Sequence, residues 1–366
     1  QDSNFFYLAG LNESDSLLII TAKHEWLFMP DNDEHQEQWS GQMNYDRASE
    51  ISGIKNVIGL IEGWQLLKRY IPNFSSVKSA TIYLPSPETK VSFDGIHANP
   101  AKLNLIDKLK TNFPLSKYSD ITEAIASLRV IKQPQEIVAL QKAIDITGSA
   151  MNEAFKGIKN DAMEYEIEAA LAYGYRKRGA TGVAYDSIVA GGANACVLHY
   201  INNDQPINST ELLLVDSGAK FNNYNADITR TFRVGGNPSK RQQAVLDEVK
   251  LVHDFALDYL KAGVNLVDYE QAVEERMGES LKKLNLIKIL NSKTIRKYFP
   301  TATSHFLGLD VHDVGPRDAV LKSGMVLTVE PGIYIPEEAI GVRLENNILI
   351  TKTGVKNLSA DIPISF

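Results

Sequence analysis

Three apolar runs in the second half of this 366-residue chain each end at, or enclose, one carboxylate. Leu212-Leu213-Leu214-Val215 runs into Asp216, Val326-Leu327-Thr328-Val329 into Glu330, and the stretch 342–350 contains Glu345. Short apolar runs of this kind read as buried strands, so the chain carries these acids to the rim of a core. Asp227 lies eleven residues beyond Asp216, at the head of Ile228-Thr229-Arg230-Thr231. That is hairpin spacing, which lets the two carboxylates meet across adjacent strands. His305 sits in Ser304-His305-Phe306-Leu307-Gly308-Leu309-Asp310. Each residue alone is an ordinary polar strand end, but the set is not. Two like charges about 4 Å apart cost roughly 4 kcal/mol at an effective dielectric near 20, and four converging carboxylates cost more unless cations neutralise them. Two divalent ions would balance the four, with His305 as a neutral fifth ligand. If the fold gathers these residues, the pattern is that of a two-metal hydrolytic site.

The first third alternates strand and helix patterns. Residues 17–21, 25–29 and 81–84 read as short strands, and 57–70 carries a helical spacing of bulky residues, which together predict α/β layers. A boundary is expected near 128–135. Beyond it, Ile137, Leu140, Ile144, Met151 and Phe155 share one face of a long helix that Pro134 opens. Asp161 with Glu164, Ser239 with Gln242 and Asp268 with Gln271 have the spacing of capping boxes and predict three more helices; Gly263 is placed to close the second of these. Strands are expected at 212–215, 228–234, 325–329 and 342–350. The second domain is therefore α+β, with helices around a mostly hairpin-built sheet.

The formal charge of −7, from 38 basic and 45 acidic residues, provides no strong basic field for nucleic acid or an anionic membrane. Apolar residues at 44% and charged residues at 23% match a soluble globular protein. The single cysteine, Cys196, forms no intrachain disulfide and suits a reducing compartment. The apolar runs are too short to cross a bilayer and no charged-then-apolar leader is read in these residues, so a cytoplasmic location is expected.

Four segments carry a family resemblance: Leu213-Leu214-Val215-Asp216-Ser217-Gly218, Ala226-Asp227-Ile228-Thr229-Arg230-Thr231-Phe232, Ser304-His305-Phe306-Leu307-Gly308-Leu309-Asp310-Val311-His312-Asp313 and Thr328-Val329-Glu330-Pro331-Gly332-Ile333-Tyr334. They resemble the signatures of aminopeptidase P and prolidase, the pita-bread metallopeptidases related to methionine aminopeptidase and to metal-free creatinase. The first third, from Gln1-Asp2-Ser3-Asn4-Phe5-Phe6-Tyr7-Leu8, is similar to the amino-terminal domain of aminopeptidase P. In that family more chain precedes this point, so the opening strand and helix of the domain are expected to be absent. The resemblance implies an α/β N-terminal domain over 1–128 and a pita-bread catalytic domain over 129–366.

It also implies roles. Asp216 would chelate one ion, His305 and Glu330 the other, with Asp227 and Glu345 bridging. A metal-bridging hydroxide would be the nucleophile and Glu330 the general base. The reaction would be hydrolysis of the N-terminal Xaa-Pro bond, on peptides with proline second. Manganese is the expected metal, with zinc or cobalt as alternatives, and a homodimer or homotetramer the expected assembly. His199 and His312 match positions that touch substrate and stabilise the tetrahedral intermediate or shuttle protons, although a histidine among apolar residues is more often a satisfied core residue. Arg343, two residues before Glu345, either pairs with the ligand carboxylates and substrate or forms a partly solvated ion pair. Tyr334 and Trp39 are candidate pocket walls; a tryptophan in a context like Gln38-Trp39-Ser40-Gly41 reaches a neighbouring subunit's site in the family, and a core tryptophan is the simpler reading. Where relatives carry histidine followed by glycine, four residues before the metal histidine, this chain has Thr301 and Ala302, which bears on proline-side affinity and not on the metals.

Three competing readings remain at this stage. A prolidase would cut only Xaa-Pro dipeptides. A cysteine hydrolase would use Cys196 and His199, but three residues apart in an apolar segment is poor geometry for a nucleophile and base, and Cys196 reads better as a small buried residue. A catalytically silent binding module would keep the fold without the chemistry.

Overall fold

The structure is a computed structural model and describes residues 2–31, 38–39, 41, 43–71, 80–86, 100–159 and 161–364. The chain divides into two units, Gln1–Arg129 and Val130–Phe366. In the first, α1 (Ser3–Ala9) precedes the hairpin of β1 (Leu17–Ile20) and β2 (Glu25–Met29), whose register sets Leu17 opposite Phe28. After α2 (Tyr45–Ser52), β3 (Val57–Gly59) joins β2 in parallel and α3 (Leu60–Tyr70) follows at once. The helix expected over 57–70 thus gives up its first three residues. Val57 and Ile58 are β-branched and suit a pleated, half-buried edge better than a helix. Gly63 brings α3 close to the sheet, since a Cβ there would lie 2.5 Å from the Phe28 ring. The unit is completed by β4 (Thr81–Leu84), α4 (Pro100–Asn112), β5 (Lys117–Asp120, parallel to β4) and α5 (Thr122–Arg129).

The second unit begins with the paired helices α6 (Pro134–Lys156) and α7 (Glu164–Lys177). Leu140, Ile144, Met151 and Phe155 of α6 are buried as its periodicity predicts. Two small antiparallel sheets follow. One orders β10 (Tyr224–Asn225), β9 (Ala219–Phe221) and β6 (Gly182–Val183); the other orders β11 (Ile228–Arg233), β8 (Leu212–Ser217) and β7 (Ile188–Gly191). Helices α8 (Lys240–Tyr259), α9 (Leu266–Lys283) and α10 (Ser292–Arg296) lead to β12 (Val326–Val329), β13 (Gly332–Ile335), β14 (Ile340–Arg343), β15 (Asn346–Ile350) and β16 (Val355–Asn357). Val249 and Val252 of α8 and Tyr269 and Met277 of α9 pack with Leu327 and Ile348 in the largest apolar core. Among the described residues no helix is long and apolar enough to cross a membrane.

Several boundaries depart from the sequence reading. Ser239 and Gln242 form the expected capping box, but α9 starts at Leu266 under an Asn265 cap, ahead of Asp268. Gly263 follows α8 by four residues, in a turn that needs its φ of 93°. Helix α7 begins at Glu164, not Asp161, whose φ of 64° places it in a turn. Glu166 closes that cap by accepting the Met163 N–H at 3.1 Å, which frees Glu164 to turn inward. The single strand expected over 342–350 is two. The chain leaves the ladder at Leu344 and Glu345, where the Glu345 N–H bonds to Thr229 O at 3.2 Å.

Arg230 ties these pieces together. It is fully buried in β11, and its guanidinium donates to Thr229 O (2.8 Å), Glu345 O (2.6 Å), Asn346 Oδ1 (2.9 Å), Ile362 O (3.2 Å) and Pro363 O (2.7 Å). Burial lowers its pKa to about 10, still charged at neutral pH. Arg230→Met fills similar space and strands those acceptors, so a loss of about 3–5 kcal/mol is expected in denaturant unfolding; a loss below about 1 kcal/mol would contradict this account.

Candidate metal centre

Strand β8 ends on Asp216 and Ser217, and Gly218 then lets the chain cross to β9 in the other sheet. A Cβ on Gly218 would fall 1.7 Å from Ala226 O, so the strand carrying Asp216 and the segment leading to Asp227 touch backbone to backbone. In the β8–β11 register Asp216 faces Thr229, and Asp227 lies just beyond the last pair, Ile228 with Ser217. The side-chain amide of Asn347 fixes the Asp227 backbone twice, accepting its N–H at 3.1 Å and donating to its carbonyl at 2.6 Å. Tyr185 Oη stands 2.5 Å from Oδ1 of both Asp216 and Asp227 and bridges the two carboxylates. Burial, with those charges beside it, holds its phenol well above the usual value.

His305 and Glu330 come from neighbouring segments. The His305 N–H bonds to Thr328 Oγ1 (3.2 Å), and Thr328 Oγ1 donates to Glu330 Oε1 (3.2 Å). His305 Nδ1 faces Phe306 O at 3.0 Å, which turns Nε2 toward Glu330 Oε1 (3.2 Å) and Asp227 Oδ2 (3.4 Å). Burial alone would lower the His305 pKa, but Asp227 and Glu330 raise it well above its ordinary value. The field at Nε2 therefore favours a cation. Ligand atoms of Asp227, His305 and Glu345 lie within 4.8 Å of one another.

Glu345 is 1% exposed. Its Oε2 accepts from Thr229 Oγ1 at 2.7 Å, while Oε1 is buried without a hydrogen-bond partner among the described residues. Burial first, then the charges of Asp227, Glu330 and Asp216, push its pKa well above the carboxylate range. Asp216 rises to about 6 for the same reason, although Arg343 opposes it from 2.6 Å. Crowded, desolvated carboxylates with an orphaned oxygen fit a divalent cation and fit little else. Arg343 is itself buried; it bonds to Tyr334 Oη (2.7 Å) and Thr229 Oγ1 (3.0 Å), so it is a buried ion pair rather than a solvated one.

The other sequence candidates fall around this cluster. His312 stacks on His305, ring centroids 4.2 Å apart. Tyr334 is buried beside Ile188, Ala190, Ala195 and Leu214 with its hydroxyl against Arg343. His199 is exposed on the turn after a short 3-10 helix, Gly192–Cys196. Cys196 is half-buried, its thiol pKa raised by burial, which disfavours a nucleophilic thiolate. Thr301 is half-buried and its carbonyl accepts from Arg296 at 2.5 Å. Trp39, in the first unit, is 79% exposed, which overturns the core-tryptophan reading. Tyr185, Thr229, Asn347 and Arg230 escaped the sequence reading as supports, because their partners lie far off in the chain.

Residues 138–352 match the family model for metallopeptidase family M24, and residues 1–83 that for the aminopeptidase P N-terminal domain. The Xaa-Pro aminopeptidase of Haemophilus influenzae is 32% identical over 99% of this chain and 86% of its own. Human Xaa-Pro aminopeptidase 3 is also 32% identical, over 99% of this chain and 74% of its own. The structure of Escherichia coli aminopeptidase P with the inhibitor Pro-Leu superposes with a TM-score of 0.87 at 30% identity, covering 99% and 86% of the two chains.

The contact at Gly218 gives the site a simple test. Gly218→Ala is expected to force β8 away from the Asp227 segment and to lower the free energy of unfolding by about 1–3 kcal/mol. Gly157→Ala, whose Cβ would meet its nearest atom at an ordinary 3.6 Å, serves as the control. Equal stability of the two variants would refute the close approach.

Proposed function

The chain belongs to the aminopeptidase P branch of metallopeptidase family M24, and we propose on that footing that it removes the N-terminal residue from peptides with proline second. Its hydrolytic, metal-dependent character comes with the family. The observation that carries the metal site is the orphaned Glu345 Oε1 among four converging acids. Asp216 would hold one ion, His305 and Glu330 the other, and Asp227 and Glu345 both. A donor set of carboxylate oxygens with one imidazole suits manganese, with zinc or cobalt as alternatives.

When bound, the ions polarise the scissile carbonyl and make water a competent nucleophile at neutral pH. Glu330, steered by Thr328 Oγ1, orients that water and takes its proton at a carboxylate oxygen. His312, stacked on the His305 ring, would pass a proton to the leaving nitrogen. His199 holds substrate from its exposed loop. Arg343 keeps Asp216 ionised, and Tyr334 fixes Arg343.

Proline at the second position is the part that rests on the relatives' named activity and on the Pro-Leu inhibitor of the Escherichia coli enzyme. The chemistry is consistent with it. An Xaa-Pro bond is a tertiary amide without an N–H, so a site that reads its substrate as a strand lacks one donor there. Gripping the amino terminus and the ring avoids that need.

Chelation is expected to abolish cleavage, and manganese to restore it. A Gly-Pro-Ala peptide is expected to be cut after glycine; cleavage of Gly-Pro alone would assign the chain to prolidase instead. Glu345→Gln removes one charge at constant shape. In chelator its melting temperature is expected to equal or exceed that of the unsubstituted protein. Added manganese at 100 times its dissociation constant should stabilise the unsubstituted protein by about 2.7 kcal/mol and the variant far less. Equal metal stabilisation of both would remove Glu345 from the ligand set.

A further inference from the structure

Glu164 was expected to cap its own helix, and the structure gives it different work. It is the first residue of α7 and 0% exposed. Both carboxylate oxygens face the loop that joins β7 to β8. Oε1 accepts the Gly191 N–H (2.9 Å) and Asn194 Nδ2 (3.1 Å); Oε2 accepts Tyr200 Oη (2.7 Å) and the Gln205 N–H (3.1 Å). The backbone completes the clamp. Glu164 N–H donates to Gln205 O at 3.0 Å, and Ile207 N–H to Ala162 O at 2.8 Å. A negative charge here also sits at the favourable end of the α7 dipole.

The loop thus stapled, residues 192–204, carries His199 beside Tyr200. Its outer face is exposed and apolar around that imidazole, with Val197 at 56% and Ile201 at 51% exposure. Its inner face backs onto the strand that bears Arg343, for a Cβ on Gly341 would lie 2.2 Å from Ala195 O. Leu198 and Tyr200 pack on the cluster that contains Tyr334. Asn203, also fully buried, pins the loop a second time, accepting the Val189 N–H at 2.9 Å and donating to Ser187 O at 2.8 Å. A fully satisfied buried network fixes geometry, and that is its usual use.

We propose that Glu164 is a positioning residue for catalysis: its carboxylate holds loop 192–204 in the conformation that presents His199 to the substrate. The inference rests on the reading of His199 as a substrate-binding group. A neutral amide cannot accept all four hydrogen bonds, since in either orientation its NH2 would face a backbone N–H, of Gly191 or of Gln205, as donor against donor.

The test is a double-mutant cycle on the manganese-loaded protein with a Gly-Pro-Ala peptide. Glu164→Gln is expected to lower kcat/KM by about 10- to 100-fold with metal content unchanged. Tyr200→Phe, which removes the hydroxyl's bonds to Glu164 (2.7 Å) and Asp204 (3.3 Å) and keeps the ring, is expected to cause a smaller loss and guards against misfolding of the first variant. In a His199→Ala background Glu164→Gln should cost less than about twofold more, because residues acting through one group are not additive. Losses that multiply would overturn the proposal, as would wild-type kinetics in either single loop variant. A neutral His199→Ala would overturn it while leaving the proposed function standing. Absence of any Xaa-Pro cleavage would instead fall on the proposed function. Hydrogen exchange then decides the proposal by itself: amides of 192–204 should exchange faster in Glu164→Gln while those of α8 do not, and unchanged loop exchange would overturn it.

Discussion

Like charges brought together in a medium of low dielectric repel strongly, and Asp216, Asp227, Glu330 and Glu345 converge from different strand ends in the second unit. Much of the surrounding structure works to contain that repulsion. Arg343 supplies one positive charge to Asp216, Tyr185 shares its hydroxyl between Asp216 and Asp227, and Thr229 supplies one donor to Glu345. None of these offsets three buried carboxylates and the half-buried Glu330 beside them, and the pKa values of Asp216 and Glu345 stay raised. A site this strained in charge is built for cations, which is what membership in family M24 calls for.

Holding the acids in place is a separate task from neutralising them, and backbone anchors perform it. Asn347 reads both polar groups of the Asp227 backbone as a neighbouring strand would. Arg230 reaches the carbonyls of Thr229 and Glu345 together. Glu270 does the same for the imidazole segment, accepting the N–H groups of Thr303 and Ser304 at 2.8 and 3.0 Å just before His305. These anchors hold the backbone and leave the carboxylate oxygens to their side-chain partners and to a ligand, with Glu345 Oε1 the oxygen that no described residue engages.

What the sequence made legible follows from how local each signal is. Asp216, Glu330 and Glu345 were visible because each interrupts or ends an apolar strand, and Asp227 because it lies at hairpin spacing from Asp216. Helix α6 was visible because its buried face repeats over 23 residues. The split of 342–350 was not, because the departure at Glu345 is caused by Thr229, more than a hundred residues earlier. Glu164 was misread for the same reason. Its spacing from Asp161 imitates a local cap, while its four donors come from residues 191–205, brought there by strand pairing that no spacing encodes. Tyr185 carries no motif at all; only the meeting of two aspartates gives its hydroxyl a purpose.

Glu164 and Glu345 show how a buried carboxylate states its role. Both are essentially inaccessible to water. Glu164 has four donors on two oxygens and sits at a helix N-terminus, so its charge is fully solvated by the protein. Glu345 has one neutral hydroxyl on one oxygen, nothing on the other, and three further carboxylates adding to its burden. Glu248 provides the intermediate case, with an orphaned oxygen but a lysine, Lys283, paired to its partner oxygen. Burial alone therefore does not mark a ligand. Glu345 combines burial and an unused oxygen with the lack of a directly paired cation, since Arg343 only partly offsets its burial from a distance, and that combination distinguishes it from both of the others.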